Sequence, residues 1–322
     1  MTPHESIQIL QKKMNAVIVG QENIVERLII GLLANGNLLV EGLPGLAKTR
    51  AVRAMADAIE SDFSRIQFTP DLLPSDVTGS ENMYEENGAY KFRFEKGPIF
   101  GNIVLADEIN RAPAKVQSAM LEAMEERQVT VAGKTHKMPE LFIVMATQNP
   151  VEQEGTYPLP EAQMDRFLMH VNIDYPDEAA EMQILELVRQ EGAHSSKKSE
   201  ELIHQEDIFS ARKEITNVSS SREIDRYIID LVFATRYPER YSEELASYID
   251  VGASPRASIG LDTCSRVHAW LEGRDYVTTD DVKAMLHDVL RHRITLSYEA
   301  MAKRKSANDI IDMIVQLVAV VA

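Results

Sequence analysis

Gly42-Leu43-Pro44-Gly45-Leu46-Ala47-Lys48-Thr49 lies between a short apolar run, Asn37 to Glu41, and a run of helix formers, Ala47 to Ala58. A glycine-rich turn leading from a strand into a helix presents backbone N–H groups at the helix start, where the local field favours an anion. Lys48 adds a cation able to reach the outer phosphates of a nucleotide, and the Thr49 hydroxyl is a ligand for Mg²⁺. The candidate phosphate-binding residues are therefore Gly42, Pro44, Gly45, Leu46, Ala47, Lys48 and Thr49. Ala47 stands where the general pattern has a second glycine, and its methyl requires a negative φ there. A second Gly-Lys-Thr, at 133–135, has Gln128 in place of the opening glycine and no helical run after it. It reads as the turn of a hairpin.

Working outward, Phe63 to Phe68, Ile103 to Ala106, Phe142 to Ala146 and Phe167 to Ile173 are further apolar strand candidates with crossovers between them. That alternation predicts an α/β fold with a parallel sheet covered on both faces. In such sheets ligands bind beyond the carboxyl ends of the strands. Ile103 to Glu108 reads IVLADE and places two acids there. Asp107 suits Mg²⁺ held through water, and Glu108 suits a general base for an attacking water. Two inserts read as hairpins: Met83 to Phe94, with Asn87-Gly88 at its turn, and Gln128 to Met138, with a turn near Gly133.

After Tyr175-Pro176 the pattern becomes amphipathic helices: Glu178 to Glu191, Ser221 to Thr235, Ser242 to Ile249, Pro255 to Glu272, Thr279 to His292 and Asn308 to Val321. The expected organisation is an α/β nucleotide-binding core over 1–176 and an all-α lid over 177–322. His194 to Glu201 is polar and aperiodic, and reads as a loop.

The chain has 322 residues, with 34 basic against 50 acidic side chains and a formal net charge of −16. That acidity, spread over both halves, argues against a dedicated nucleic-acid or anionic-membrane binder. The most basic stretch, Lys283 to Lys305, has six basic residues against two acidic ones. The single cysteine, Cys264, excludes an intrachain disulfide. The first residues lack an apolar signal core, and the apolar tail from Ile310 is too short to span a bilayer. A soluble cytoplasmic protein without membrane insertion is expected.

GLPGLAKT, IVLADEINRAP, VMATQNP, EAQMDRF and GASPRA occur in this order and resemble the MoxR family of AAA+ ATPases from Val19 to Ile294. Alanine at position 47 is typical of that family. The resemblance implies ATP and Mg²⁺ as cofactors. It makes Asn149 the sensor that orients the attacking water, and Arg166 an arginine finger reaching a neighbouring subunit's site. Arg256 becomes a second sensor contacting the γ-phosphate from the lid of its own chain. Gly20 and Gln21, in Val19-Gly20-Gln21-Glu22, match the segment beside the adenine. Arg111 is left without a role. The implied protein is a homo-oligomer, a hexameric ring, that remodels or matures a separate client carrying a von Willebrand factor A domain, with metal insertion as one outcome. A nucleic-acid motor of the related helicase clade and a magnesium-chelatase-like subunit are the alternatives.

Overall fold

The computed structural model describes residues 1–43, 45–46, 48–86, 89–149, 156–193 and 202–319. Pro44, Ala47, the Asn87-Gly88 turn and the expected loop at 194–201 lie outside the described residues. The contacts divide the chain into two compact units, residues 1–159 with 171–207, and residues 160–170 with 208–322.

In the first unit, α1 (Pro3–Val17) and α2 (Glu22–Leu33) precede β1 (Leu38–Gly42) and α3 (Lys48–Ala58). Next come β2 (Phe63–Gln67), α4 (Pro74–Thr78), the strands β3 (Gly79–Glu86) and β4 (Ala89–Lys96), and β5 (Ile103–Asp107). They are followed by α5 (Ala114–Glu126), β6 (Gln128–Val131), β7 (Lys134–Lys137) and β8 (Ile143–Gln148). Helix α6 (Glu161–Met164) falls in the second unit, β9 (Met169–Ile173) straddles the boundary, and α7 (Glu178–Ala193) returns to the first.

The sheet order is β2-β5-β8-β1-β9. β1 with β8, β2 with β5 and β5 with β8 all pair in parallel. Leu38, Leu39 and Val40 in β1 and all of Ile103–Asp107 in β5 are buried. Strands covered on both faces need such unbroken apolar runs instead of alternation. The registers bring Glu41 opposite Gln148 and Gln67 opposite Asp107, which lines up the carboxyl ends of four strands.

Both expected hairpins are present. β3 and β4 pair antiparallel from Gly79↔Lys96 to Glu86↔Ala89, and Met83, Tyr90 and Phe92 stand exposed on them. In β6–β7 the turn residues Ala132 and Gly133 have φ of 50° and 78°, so the second Gly-Lys-Thr is a hairpin turn. Helix α1 lies outside the elements expected from the sequence pattern. It begins with a capping box in which the Thr2 hydroxyl accepts from the Glu5 N–H and the Glu5 carboxylate accepts from the Thr2 N–H.

The second unit contains α8 (Gln205–Ile215), whose first residues belong to the other unit, then α9 (Arg222–Arg236), α10 (Glu243–Tyr248) and β10 (Ile249–Val251). It ends with α11 (Pro255–Leu271), α12 (Thr279–Leu290), β11 (Thr295–Leu296), α13 (Tyr298–Ala302) and α14 (Ala307–Leu317). β10 pairs antiparallel with β11, a small sheet inside the region expected to be all helical. The division also differs from a single boundary at 176. Residues 160–170 join the helical unit because side chains following α12 hold their backbone. Arg291 Nη1 donates to the His170 carbonyl at 2.6 Å, and Arg293 Nη2 donates to the Phe167 carbonyl at 2.6 Å. α7 stays with the sheet unit, as does Ile203, which bridges to Ile59.

Candidate nucleotide site

Lys48 opens α3 immediately beyond β1. Its Nζ donates to the carbonyls of Gly42 at 2.6 Å and Gln148 at 3.1 Å, spanning the ends of β1 and β8. Gly42 is required here by close approach, since a Cβ would come within 2.9 Å of the Ile173 carbonyl oxygen. Gly45 has φ +85° with open space where a side chain would stand. Asn149 follows β8 directly and is 6% exposed.

The two acids at the end of β5 sit in different surroundings. Asp107 is buried, and its Oδ2 accepts from Arg65 Nη2 at 2.6 Å and Nε at 3.1 Å. Its Oδ1 accepts from the Thr147 hydroxyl at 2.6 Å. Glu108 is left-handed, with φ 57° and ψ 50°, a conformation rare outside glycine and asparagine. Its Oε2 accepts from Gln67 Nε2 at 2.9 Å and from Arg111 Nη1 at 2.9 Å.

Thr147 links the two acids, because its Oγ accepts the Glu108 N–H at 2.9 Å while donating to Asp107. Arg65, Gln67 and Thr147 were not assigned from the sequence, and Arg111 is placed here against Glu108. All four converge through strand register and the short turn at 109–111, which pattern alone does not reveal. The oxygen donors Thr49 and Asp107 suit Mg²⁺, a hard ion that nucleotide sites hold with one or two protein ligands and the phosphates.

Beside the loop is a cavity of about 300 Å³ lined by Ile18, Val19, Gln21, Leu46, Ile184 and Leu187, among others. It is an apolar slot of the kind that receives a planar base. Gln21 lines it, and Gln21 Nε2 donates to the Asp174 carbonyl at 3.3 Å. Gly20 is not among the lining residues. Its φ is +71°, and a Cβ would fall 2.1 Å from Ala180 Cβ, so glycine there lets α7 approach.

Arg166 and Arg256 both belong to the second unit. Arg256 is on the first turn of α11, where Ser254 is the N-cap. Its Nη1 lies 3.2 Å from Asp165 Oδ2, next to Arg166 in the chain.

A family model described as the ATPase family associated with various cellular activities (AAA) matches residues 37–169, and one for an AAA lid domain matches 243–314. Chaperone MoxR1 of Mycobacterium tuberculosis is 45% identical over 308 residues, covering 95% of this chain and 80% of its own. Protein MoxR of Paracoccus denitrificans is 31% identical over 310 residues, covering 91% and 90%. A crystal structure of a Cytophaga hutchinsonii protein matches with a TM-score of 0.90 at 44% identity, over 99% of this chain and 96% of that one. These matches take in the sheet, the phosphate loop and the lid alike, and the chain belongs to the MoxR-type AAA+ ATPases.

Proposed function

We propose that this ATPase binds ATP with Mg²⁺ between the phosphate loop and the ends of β1, β5 and β8, and couples hydrolysis to the remodelling of a separate client protein. The observation that carries this reading is the meeting of Lys48, Asp107, Glu108 and Asn149 at those strand ends, beside an apolar base slot. The Lys48 ammonium rests on the Gly42 and Gln148 carbonyl oxygens, and phosphate oxygens would exchange with these for its donors. Thr49 and Asp107 would hold Mg²⁺, which neutralises phosphate charge when bound. Glu108 takes the proton of the attacking water, and Asn149 orients that water through its amide. Arg166 is read as reaching the site of a neighbouring copy in a ring, and Arg256 as contacting the γ-phosphate.

Release of inorganic phosphate by the purified full chain tests the reading. Lys48→Ala should abolish ATP binding. Glu108→Gln should retain binding but lose turnover by about 10²-fold or more, the scale of a general base. Absence of any Mg²⁺-dependent turnover by the wild type would sink the proposal.

A hexamer and a client with a von Willebrand factor A domain fit this reading, with metal insertion as one form of maturation. Exposed Met83, Tyr90 and Phe92 on the first hairpin offer apolar contact to such a client. A nucleic-acid motor is less well supported, because Arg291 and Arg293 of the basic stretch point inward onto residues 165–170. A binding assay at two salt concentrations separates the readings, since phosphate-backbone binding falls steeply with salt.

A further inference from the structure

Arg65 brings a positive charge to the carboxylate that is read as serving Mg²⁺. It lies on β2, at the edge of the sheet, where pairing with β5 sets Gln67 opposite Asp107 and leaves Arg65 two residues back on the same face. Its Nε and Nη2 both donate to Asp107 Oδ2, at 3.1 and 2.6 Å, which takes up the lone pairs of that oxygen. Asp107 Oδ1 is held separately, by the Thr147 hydroxyl at 2.6 Å. These partners are unequal. Thr147 is buried within the sheet, whereas the Arg65 side chain is 49% exposed and otherwise touches only Gln67 Oε1, at 2.8 Å from Nη2. A half-exposed ion pair is worth little and opens readily. With Arg65 swung out, Thr147 still seats the carboxylate. A guanidinium in this place opposes a second cation in two ways: it occupies Oδ2, and it repels a divalent ion drawn to Oδ1.

We infer that Arg65 is a positioning residue that acts as a resident counter-cation for Asp107, lowering the site's affinity for a divalent ion and yielding when that ion arrives with phosphates. The inference rests on the assignment of Asp107 to Mg²⁺ under Proposed function. The negative charge of the phosphates offsets Arg65, so the site favours a metal delivered with nucleotide over a bare one. An Arg65 that only braced Asp107 would act in the opposite sense, since its loss would loosen the carboxylate and weaken metal binding.

Mn²⁺, which suits the same oxygen donors as Mg²⁺, is the probe. Its affinity for the full chain at a fixed ADP concentration is read from the free-ion signal in electron paramagnetic resonance, against a blank without protein, and involves no turnover. Arg65→Gln should tighten Mn²⁺ binding about three- to fivefold, the worth of a half-exposed charge removed. Arg65→Lys keeps a cation there and should stay close to wild type. In an Asp107→Asn background the gain from Arg65→Gln should vanish. Unchanged or weaker Mn²⁺ binding in Arg65→Gln overturns the inference, as does equal tightening in Arg65→Lys or without Asp107. Circular dichroism shows whether Arg65→Gln folds. If it does not, Arg65→Met keeps the stem without the charge and carries the same outcomes for and against. A wild-type chain that takes up ADP but no Mn²⁺ would overturn the metal assignment itself. Mn²⁺ binding that is indifferent to Arg65 would overturn this inference alone.

Discussion

At the scale of single residues, the site depends on a threonine that carries no charge. Thr147 is 1% exposed and joins the Asp107 carboxylate to the Glu108 backbone. Thr147→Val keeps the shape but removes both the acceptor of the Glu108 N–H and a donor to the buried Asp107 carboxylate, at about 1–3 kcal/mol for each group left unsatisfied. ATP affinity should change little while turnover drops by about tenfold or more, read by nucleotide binding and phosphate release on one preparation. Turnover unchanged by the loss of both hydrogen bonds would count against Thr147 holding the two acids. The positions of the acids and of Lys48 were legible in the sequence because the apolar runs before them mark strands β5 and β1. Thr147, Arg65 and Gln67 were not, since cross-strand register decides that they meet Asp107 and Glu108. Arg111 was visible as a residue but not as a partner, because a short 3₁₀ turn carries it back to Glu108.

Among elements, α12 shows how much a cap can conceal. Thr278-Thr279-Asp280-Asp281 announces a helix start, and the helix begins at Thr279. Asp281 does more than favour the dipole, because its carboxylate is fully buried and pairs with Arg274 at 2.5 and 2.7 Å. It also accepts from the Thr278 N–H at 2.7 Å and bonds His268 Nδ1 at 2.6 Å. Burial opposes its ionisation, but Arg274, Thr278 and His268 outweigh burial and hold the pKa far below the usual carboxylate range. The sign follows from a pKa lower in the folded chain than in the unfolded one. Stability from Asp281 is fully present above the unfolded value near 4 and is lost as pH falls through the folded value. Asp281→Asn should cost about 3 kcal/mol at pH 6, as expected for a broken buried pair. The gap in melting temperature to wild type should shrink below about pH 4, and a constant gap would contradict the assignment. The α/β alternation and most helices were readable from periodicity. Helix α1 carries its own signals, the Thr2-x-x-Glu5 box and a buried face of Ile7, Leu10 and Met14, outside the strand–helix alternation that marks the sheet.

For the whole molecule, the assembly proposed above makes a distinctive prediction about mixtures. Arg166→Ala subunits lack the finger but keep Lys48, whereas Lys48→Ala subunits keep the finger and lack the phosphate lysine. Each alone should be nearly inactive. A mixed ring should recover part of the turnover where an intact finger meets an intact loop, measured against the same subunits kept separate. No recovery in rings shown to be mixed would place the finger within its own chain. The two-part architecture was readable as a change from alternating pattern to helices near residue 176, but the observed division is more interleaved. The basic side chains that draw 160–170 into the helical unit lie more than a hundred residues away, in Arg291 and Arg293.

That interleaving bears on how the protein can be cut. A fragment beginning at residue 208 would contain every helix from α9 onward yet lack Asp165, Phe167 and Leu168. It would therefore bury the Arg293 guanidinium with most of its acceptors missing. Such a fragment should be poorly folded alone and should gain helicity when a synthetic peptide spanning 160–170 is added. The peptide would act as a missing structural part supplied in trans.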